Sequence, residues 1–335
     1  EAVTAAVIRA IEGGVCPTLA CREQIELAER LAEIVPNAEA SFFLKSGSDA
    51  TSLAVRLARA VTGRSTVLRW GYHGWHDWCA PSAQGTVVEH RRKTRSFDYN
   101  SLESLSQAFA SSEDDVACVI MMPFEIELPA PGYLEGVREL CSKNGALLIF
   151  DEVRSGFRVA LGGAQQAYGV DADLVCLSKA IANGHPLSVL SGRYDHMCKI
   201  SEVSASSTFF RGRDGFAAGL ATLDELAKAF GANEPPRLSA SICAAFDSAL
   251  MRSGAPLKRV GHQAAPFLSW PDASSDREAK ALRQFCATML SEGVLLHPAH
   301  HWFFNLALSN ADILHLETAA TRVLDNMVSD GAFDA

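Results

Sequence analysis

Gly145-Ala146-Leu147-Leu148-Ile149-Phe150-Asp151-Glu152-Val153 decides the fold. The apolar run at 146–150 is too short for a helix and shows no alternation, so it reads as a strand buried on both faces. Runs of the same texture recur at 116–121 and 174–177, with a further strand at 66–70. Helical periodicity covers 22–34, 48–62, 101–110 and 133–143, so helices and short strands alternate. That order predicts an α/β fold whose mostly parallel sheet is covered by helices on both faces. Ligands of such sheets gather at the carboxyl ends of the strands, which is where Asp151 and Glu152 stand.

Beyond residue 215 the texture changes. A helix-rich stretch at 215–230 is followed by a turn signal, Asn233-Glu234-Pro235-Pro236-Arg237, another helix, and strand candidates at 267–270 and 293–297. This divides the chain into a large domain, 1–231, and a smaller α+β domain, 232–335. Residues 1–14 read as an amphipathic helix closing on glycine. Because the chain opens inside that helix with no Met, an N-terminal truncation is expected.

Composition narrows the functions. The 335 residues are 48% hydrophobic with a net charge of −9. A core of that size excludes disorder, and a field of that sign repels nucleic acid and anionic membrane. The nine cysteines are scattered without zinc-like spacing, which points to a reducing cytoplasm and no metal site. No apolar run reaches the length that spans a bilayer. A small molecule and a second subunit are the expected partners.

Four clusters carry candidate chemistry. Ser46-Gly47-Ser48 precedes a long helix, whose amino terminus offers unpaired N–H groups to a phosphate; helix capping by Ser48 is the plainer reading. Gly71-Tyr72-His73-Gly74-Trp75-His76 follows a strand, where glycines admit a ligand and Tyr72 can stack on a flat ring. Asp151 closes the central apolar strand. Lys179 follows another buried strand, where desolvation lowers an amine's pKa and makes it a nucleophile toward carbonyls. Phosphate cradle, aromatic cover, carboxylate and lysine together are what pyridoxal 5′-phosphate requires: Tyr72 and Val153 sandwich its ring, Asp151 faces its nitrogen, and Lys179 meets its aldehyde.

With these motifs the chain resembles the class III pyridoxal-phosphate aminotransferases of fold type I, in the glutamate-1-semialdehyde 2,1-aminomutase-like branch. The likeness runs through SGSDATSLAVRLARAVTGR, GYHGWHDW, LLIFDEVRSGFRVALGGAQQAYGV, DLVCLSKAIANGHPLSVLSGR and GVLLHPAHHWFFNLALSNADI. The resemblance implies that Ser46, Gly47 and Ser48 bind the phosphate, Tyr72 covers the ring, Asp151 pairs with the pyridine nitrogen, Val153 packs beneath it and Lys179 forms the internal aldimine. It also implies that Thr208, in Ser207-Thr208, reaches the phosphate of the neighbouring subunit in a homodimer. Lys179 and Asp151 are then the catalytic pair.

Three features depart from the family pattern. Met121-Met122-Pro123 stands where relatives commonly carry Glu-Pro, Lys45 replaces a usually neutral residue, and part of the amino-terminal region is missing. Transamination between an amino substrate and a keto or aldehyde acceptor is the expected reaction. A 2,1-aminomutase is the alternative, followed by a racemase and a cofactor-free binding protein on the same scaffold. Arg154, Arg158, Arg211 and Arg213 read as structural or surface arginines, and His297, His300 and His301 as satisfied structural histidines.

Overall fold

A computed structural model describes residues 1–113 and 115–334 of the chain. The helices are α1 (Ala2–Glu12), α2 (Arg22–Ile34), α3 (Gly47–Thr62), α4 (Val88–Arg92), α5 (Leu102–Ala110), α6 (Tyr133–Asn144), α7 (Gly163–Tyr168), α8 (Tyr194–Met197), α9 (Arg213–Gly231), α10 (Glu234–Ser253), α11 (Ser275–Ser291) and α12 (Asn310–Ser329). The strands are β1 (Ala40–Leu44), β2 (Thr66–Trp70), β3 (Thr94–Ser96), β4 (Val116–Met121), β5 (Leu147–Asp151), β6 (Leu174–Leu177), β7 (Ser188–Gly192), β8 (Lys258–Val260) and β9 (Phe267–Ser269).

The first seven strands form one sheet in the order β1-β7-β6-β5-β4-β2-β3. Strands β3, β2, β4, β5 and β6 are parallel, while β7 runs antiparallel to both β6 and β1. Strand β5 lies at the centre. Its neighbours are in register through Met121↔Phe150 on one side and Asp151↔Cys176 on the other.

Alternate residues of each strand enter opposite layers, which is why the central strands carry no polar face. Cys118, Ile120, Ile149 and Cys176 pack beneath α3 with Ala54 and Leu57. Val119, Met121, Leu148 and Phe150 meet Leu105 and Phe109 of α5 and Val137 of α6 on the other side. Gly63 and Gly145 end α3 and α6 in the left-handed conformation, turning the chain back into β2 and β5.

The chain divides into two compact units, Glu1–Phe124 with Pro129–Lys228, and Glu125–Leu128 with Ala229–Ala335. The second unit gathers α10, α11, α12 and the β8–β9 hairpin around Phe246, Phe285, Met289, Trp302 and Leu324. Two local expectations there are corrected. The Pro-Pro turn signal is the start of α10, because proline in a first helical turn forfeits no hydrogen bond. Residues 293–297 are not a strand: Val294 closes the end of α11 through its N–H to Met289 O, and the following residues are irregular.

Candidate active site

Five segments that leave the sheet at one edge build the candidate site. The sequence delivers Met122 directly after β4, Asp151 at the end of β5 and Lys179 two residues after β6, on three adjacent strands. Tyr72 and His73 follow β2, and the amino terminus of α3 follows β1. These segments enclose a cleft of about 150 Å³ lined by Gly47, Ser48, Thr51, Tyr72, His73, Gly74, Met122, Asp151, Val153, Arg154 and Lys179.

At the α3 end, Ser46 rather than Ser48 is the N-cap. Its hydroxyl accepts from Asp49 N (3.2 Å) while its own N–H donates to Asp49 Oδ2 (2.9 Å), a capping box. The sequence reading that Ser48 caps the helix is therefore corrected, and the helix opens one residue earlier, at Gly47. Ser188 Oγ donates to Ser46 O (2.7 Å), tying the turn to β7. Ser46 is outside the residues lining the cleft; Gly47 and Ser48 line it, ahead of the first helical hydrogen bonds.

Close approaches shape the walls. A Cβ on Gly47 would lie 2.9 Å from Val153 Cγ1, and one on Gly74, held at φ +109, would collide with Ser48 Oγ. Thr51 Oγ1 donates to His73 O (2.6 Å), which fixes the loop after β2 against α3.

Asp151 is 4% exposed and doubly engaged. Its Oδ2 lies 2.8 Å from His73 Nδ1, and its Oδ1 accepts from Val153 N (3.1 Å). His73 is equally buried and stacks parallel to Trp78, 7° between planes at 6.2 Å. The neighbouring Glu152 turns the other way: its carboxylate accepts from Ser155 Oγ and, at the start of α7, from Ala164 N and Gln165 N, and burial pushes its pKa up to about 7.

Lys179 opens a 3₁₀ turn at φ +47, a left-handed conformation uncommon outside glycine and often retained at functional positions. Ser178 Oγ holds that turn by donating to Leu187 O (2.9 Å). The side chain stands at the cleft wall with part of its surface open. Desolvation of the amine, and then the charges of Arg154 and Arg158, lower its pKa, while Asp151 opposes them.

Thr208 lies elsewhere in its own chain, lining a separate cavity of about 490 Å³ with Cys16, Ser206 and Arg211. Lys45 does not line the cleft; its amine sits 6.0 Å from the Phe216 ring centroid, and burial pushes its pKa down. Arg213 pairs with Glu23 (2.6 Å), and Arg211 donates to Thr18 O, so both are structural as expected. Arg154 lines the cleft. Thr51 and the pairing of His73 with Asp151 were not foreseen. Thr51 lies one helical turn past Ser48, a usable signal; nothing local in Gly71–Gly74 points across to residue 151.

The sequence as a whole matches the model of the family described as "Aminotransferase class-III" over residues 1–313. The chain belongs to the class-III aminotransferases. It is 34% identical over 327 residues to the 3-aminobutyryl-CoA aminotransferase of Cloacimonas acidaminovorans, covering 95% of this chain and 79% of that protein. It is 33% identical over 352 residues to the glutamate-1-semialdehyde 2,1-aminomutase of Geotalea daltonii, covering 96% and 82%. Among solved structures, the internal aldimine form of the FumI protein of Sphingopyxis sp. MTA144 superposes with a TM-score of 0.91 at 29% identity, covering 99% of this chain and 81% of that one. The class-III aminotransferases are pyridoxal-phosphate enzymes, so the fold and cofactor expectations hold.

The residues present fit that cofactor. Helix N–H groups and the Ser48 hydroxyl suit a phosphate, the glycine approaches at 47 and 74 leave space that a Cβ would fill, and a buried carboxylate with two partners suits a protonated ring nitrogen. Among the described residues no cluster of His, Cys, Asp or Glu could hold a metal, all nine cysteines are free, and no helix is long and apolar enough to cross a membrane.

Proposed function

We propose that this chain transfers an amino group between an amino substrate and a keto or aldehyde acceptor in the cleft at the ends of β4, β5 and β6. The observation that carries the reading is the buried His73–Asp151 pair at 2.8 Å, lining one cleft with Lys179, Val153 and the start of α3. Pyridoxal phosphate, when bound, supplies an aldehyde that takes up the amino group and a ring that accepts electron density from the substrate carbon.

The protein's part is to bind, orient and move protons. Gly47 and Ser48 hold the phosphate at the start of α3, where the helix dipole favours an anion. Tyr72 and Val153, which both line the cleft, would hold the ring. Asp151, anchored by His73 and by the N–H of Val153, keeps a negative charge against the ring nitrogen. Lys179 would be the amine that meets the cofactor's aldehyde and would move the proton at the substrate carbon; its lowered pKa leaves more of it as free base.

Thr208 is assigned to the phosphate of a second copy, a reading supported by its place outside the cleft of its own chain. The working enzyme is accordingly read as a homodimer, and its free cysteines suit the cytoplasm. Residues 1–231 are assigned as the cofactor-binding domain and 232–335 as the small domain.

The test is the visible absorbance of purified protein loaded with pyridoxal phosphate, beside Lys179→Ala. The parent is expected to bind the cofactor covalently, trappable by borohydride at Lys179, and to lose its absorbance band with an amine when no keto acid is present. Label at another position, or an unchanged band with every amine, overturns the reading. Product that forms without any external acceptor would instead indicate the aminomutase reaction.

A further inference from the structure

We propose that Leu187 and Ser188, where β7 begins, form a brace that sets the span between the phosphate cradle and Lys179, with Ser178 and Ser188 as its positioning residues. This rests on the aminotransferase reading and deepens it by naming what fixes the two attachment points of one cofactor relative to each other.

Strand direction makes the brace possible. Strand β7 lies between β1 and β6 and runs antiparallel to both, so its first residues stand beside the last residues of two strands. Leu44 pairs with Ser188, and Leu177 with Val189. The cradle follows β1 and Lys179 follows β6. Had β7 been parallel to them, its start would lie at the far end of both.

Two buried hydroxyls join these pieces in series. Ser178 Oγ donates to Leu187 O (2.9 Å), and Ser188 Oγ donates to Ser46 O (2.7 Å). Leu187 O and Ser188 N belong to one planar peptide unit, as do Ser46 O and Gly47 N. Gripping Ser46 O therefore aims the N–H of Gly47, a residue of the cleft wall, in the opposite direction. Gripping Leu187 O ties the same short segment to the residue just before Lys179.

The segment is also backed by α9. Ser188 is fully buried and Leu187 is 1% exposed. A Cβ on Gly215 would lie 3.0 Å from Pro186 O, and one on Gly219 would lie 3.0 Å from Leu187 Cδ2. Lys179 needs such support, because at φ +47 it occupies backbone space that side-chain-bearing residues seldom enter. Hydrogen bonds between neutral groups add little net stability, so what these hydroxyls chiefly fix is position.

The consequence is specific to a ligand held at both ends. Inorganic phosphate can re-seat in a cradle that has shifted. A phosphate whose ring is also attached at Lys179 cannot, since the second attachment gains from the first only where geometry allows both.

Two measurements test this. In the first, the chain stripped of cofactor is titrated with pyridoxal 5′-phosphate and, separately, with inorganic phosphate. Ser178→Ala and Ser188→Ala are each expected to weaken pyridoxal phosphate about 3- to 10-fold and inorganic phosphate by no more than about twofold. The double variant is expected to bind no worse than the poorer single one, whereas independent effects would multiply. Ser41→Ala removes a hydroxyl contact of the same kind between β1 and β7, 2.7 Å to Ser191 Oγ but away from the start of β7, and is expected to leave both ligands unchanged. Equal weakening of phosphate and cofactor, multiplied losses or unchanged cofactor binding overturn the proposal.

In the second, amide hydrogen exchange is followed without cofactor at Asp49 and Ala50, whose N–H groups donate to Ser46. Ser178→Ala, on the far side of β7, is expected to speed exchange there about 3- to 10-fold, and Ser41→Ala to leave it unchanged. Exchange unaffected by Ser178→Ala overturns the brace, and borohydride trapping of the cofactor at Lys179 in that same chain would leave the aminotransferase reading standing. Faster exchange in a chain that binds no pyridoxal phosphate supports the brace and overturns that reading, so the two fail separately.

Discussion

His73 is the residue whose meaning changes most between sequence and structure. Its imidazole Nδ1 lies 2.8 Å from a carboxylate that is almost fully buried, and its ring is held flat by Trp78. A buried acid that loses one of its partners forfeits the stabilisation that a charged hydrogen bond provides, about 1.5–3 kcal/mol. His73→Phe is therefore expected to keep the fold and the cofactor, lower kcat about 10- to 100-fold and change KM little, as measured by steady-state kinetics with a saturating acceptor. Asp151 and Lys179 were legible in the sequence because each follows an apolar strand, where a charged residue is conspicuous. His73 was visible only as one of two histidines in an aromatic loop, since its partner lies 78 positions away.

Among the elements, the turn from β5 into α7 is organised by one carboxylate. Glu152 receives two backbone N–H groups and the Ser155 hydroxyl, so it fixes the segment that begins just after Asp151. An amide at this position would set an NH2 group against an N–H, and Glu152→Gln is expected to cost about 1–3 kcal/mol at neutral pH. The pH dependence has a definite sign. Burial raises the folded pKa to about 7 against an ordinary value of 4.5, so between these values the folded protein holds a proton that the unfolded chain has lost. The group's contribution is present below about 4.5 and declines as pH climbs toward 7. Melting temperatures of parent and variant across that range should converge as pH rises; a constant gap would reject the assignment. Element type and most boundaries followed from periodicity, with β2, β4, β6 and α2 read to the residue. Residues 293–297 failed because an apolar run also suits an irregular segment that lines a core.

At the scale of the whole molecule, distant segments are clamped by charge and the second unit by packing. Arg213, at the start of α9, holds Glu23 of α2 through two hydrogen bonds and the carbonyls of Gly13 and Gly14 through two more. The Arg213 guanidinium draws the Glu23 pKa down to about 2 from 4.5, so this stabilisation is complete above about 4.5 and fades as pH falls toward 2. Glu23→Gln should lower the melting temperature at pH 7, with the difference shrinking along that acid limb. In the second unit, Phe285 is fully buried beside Trp302. Phe285→Ala is expected to cost about 3–5 kcal/mol and to remove hydrogen-exchange protection from α11 and α12.

The order of residues alone determined the alternation of strand and helix, the parallel character of the central sheet, the cofactor class and the rim on which Asp151 and Lys179 stand. These follow from local periodicity and from the placement of polar residues after apolar runs, which act over a few positions. Only the folded chain decided that His73 grips Asp151, that Glu152 faces away from the cleft, that Ser46 caps α3, and that Arg154 and Met122 line the pocket. Those choices depend on which loops meet at one sheet edge, and β4, β5 and β6 become neighbours through hydrogen bonding between segments whose separation no local pattern encodes.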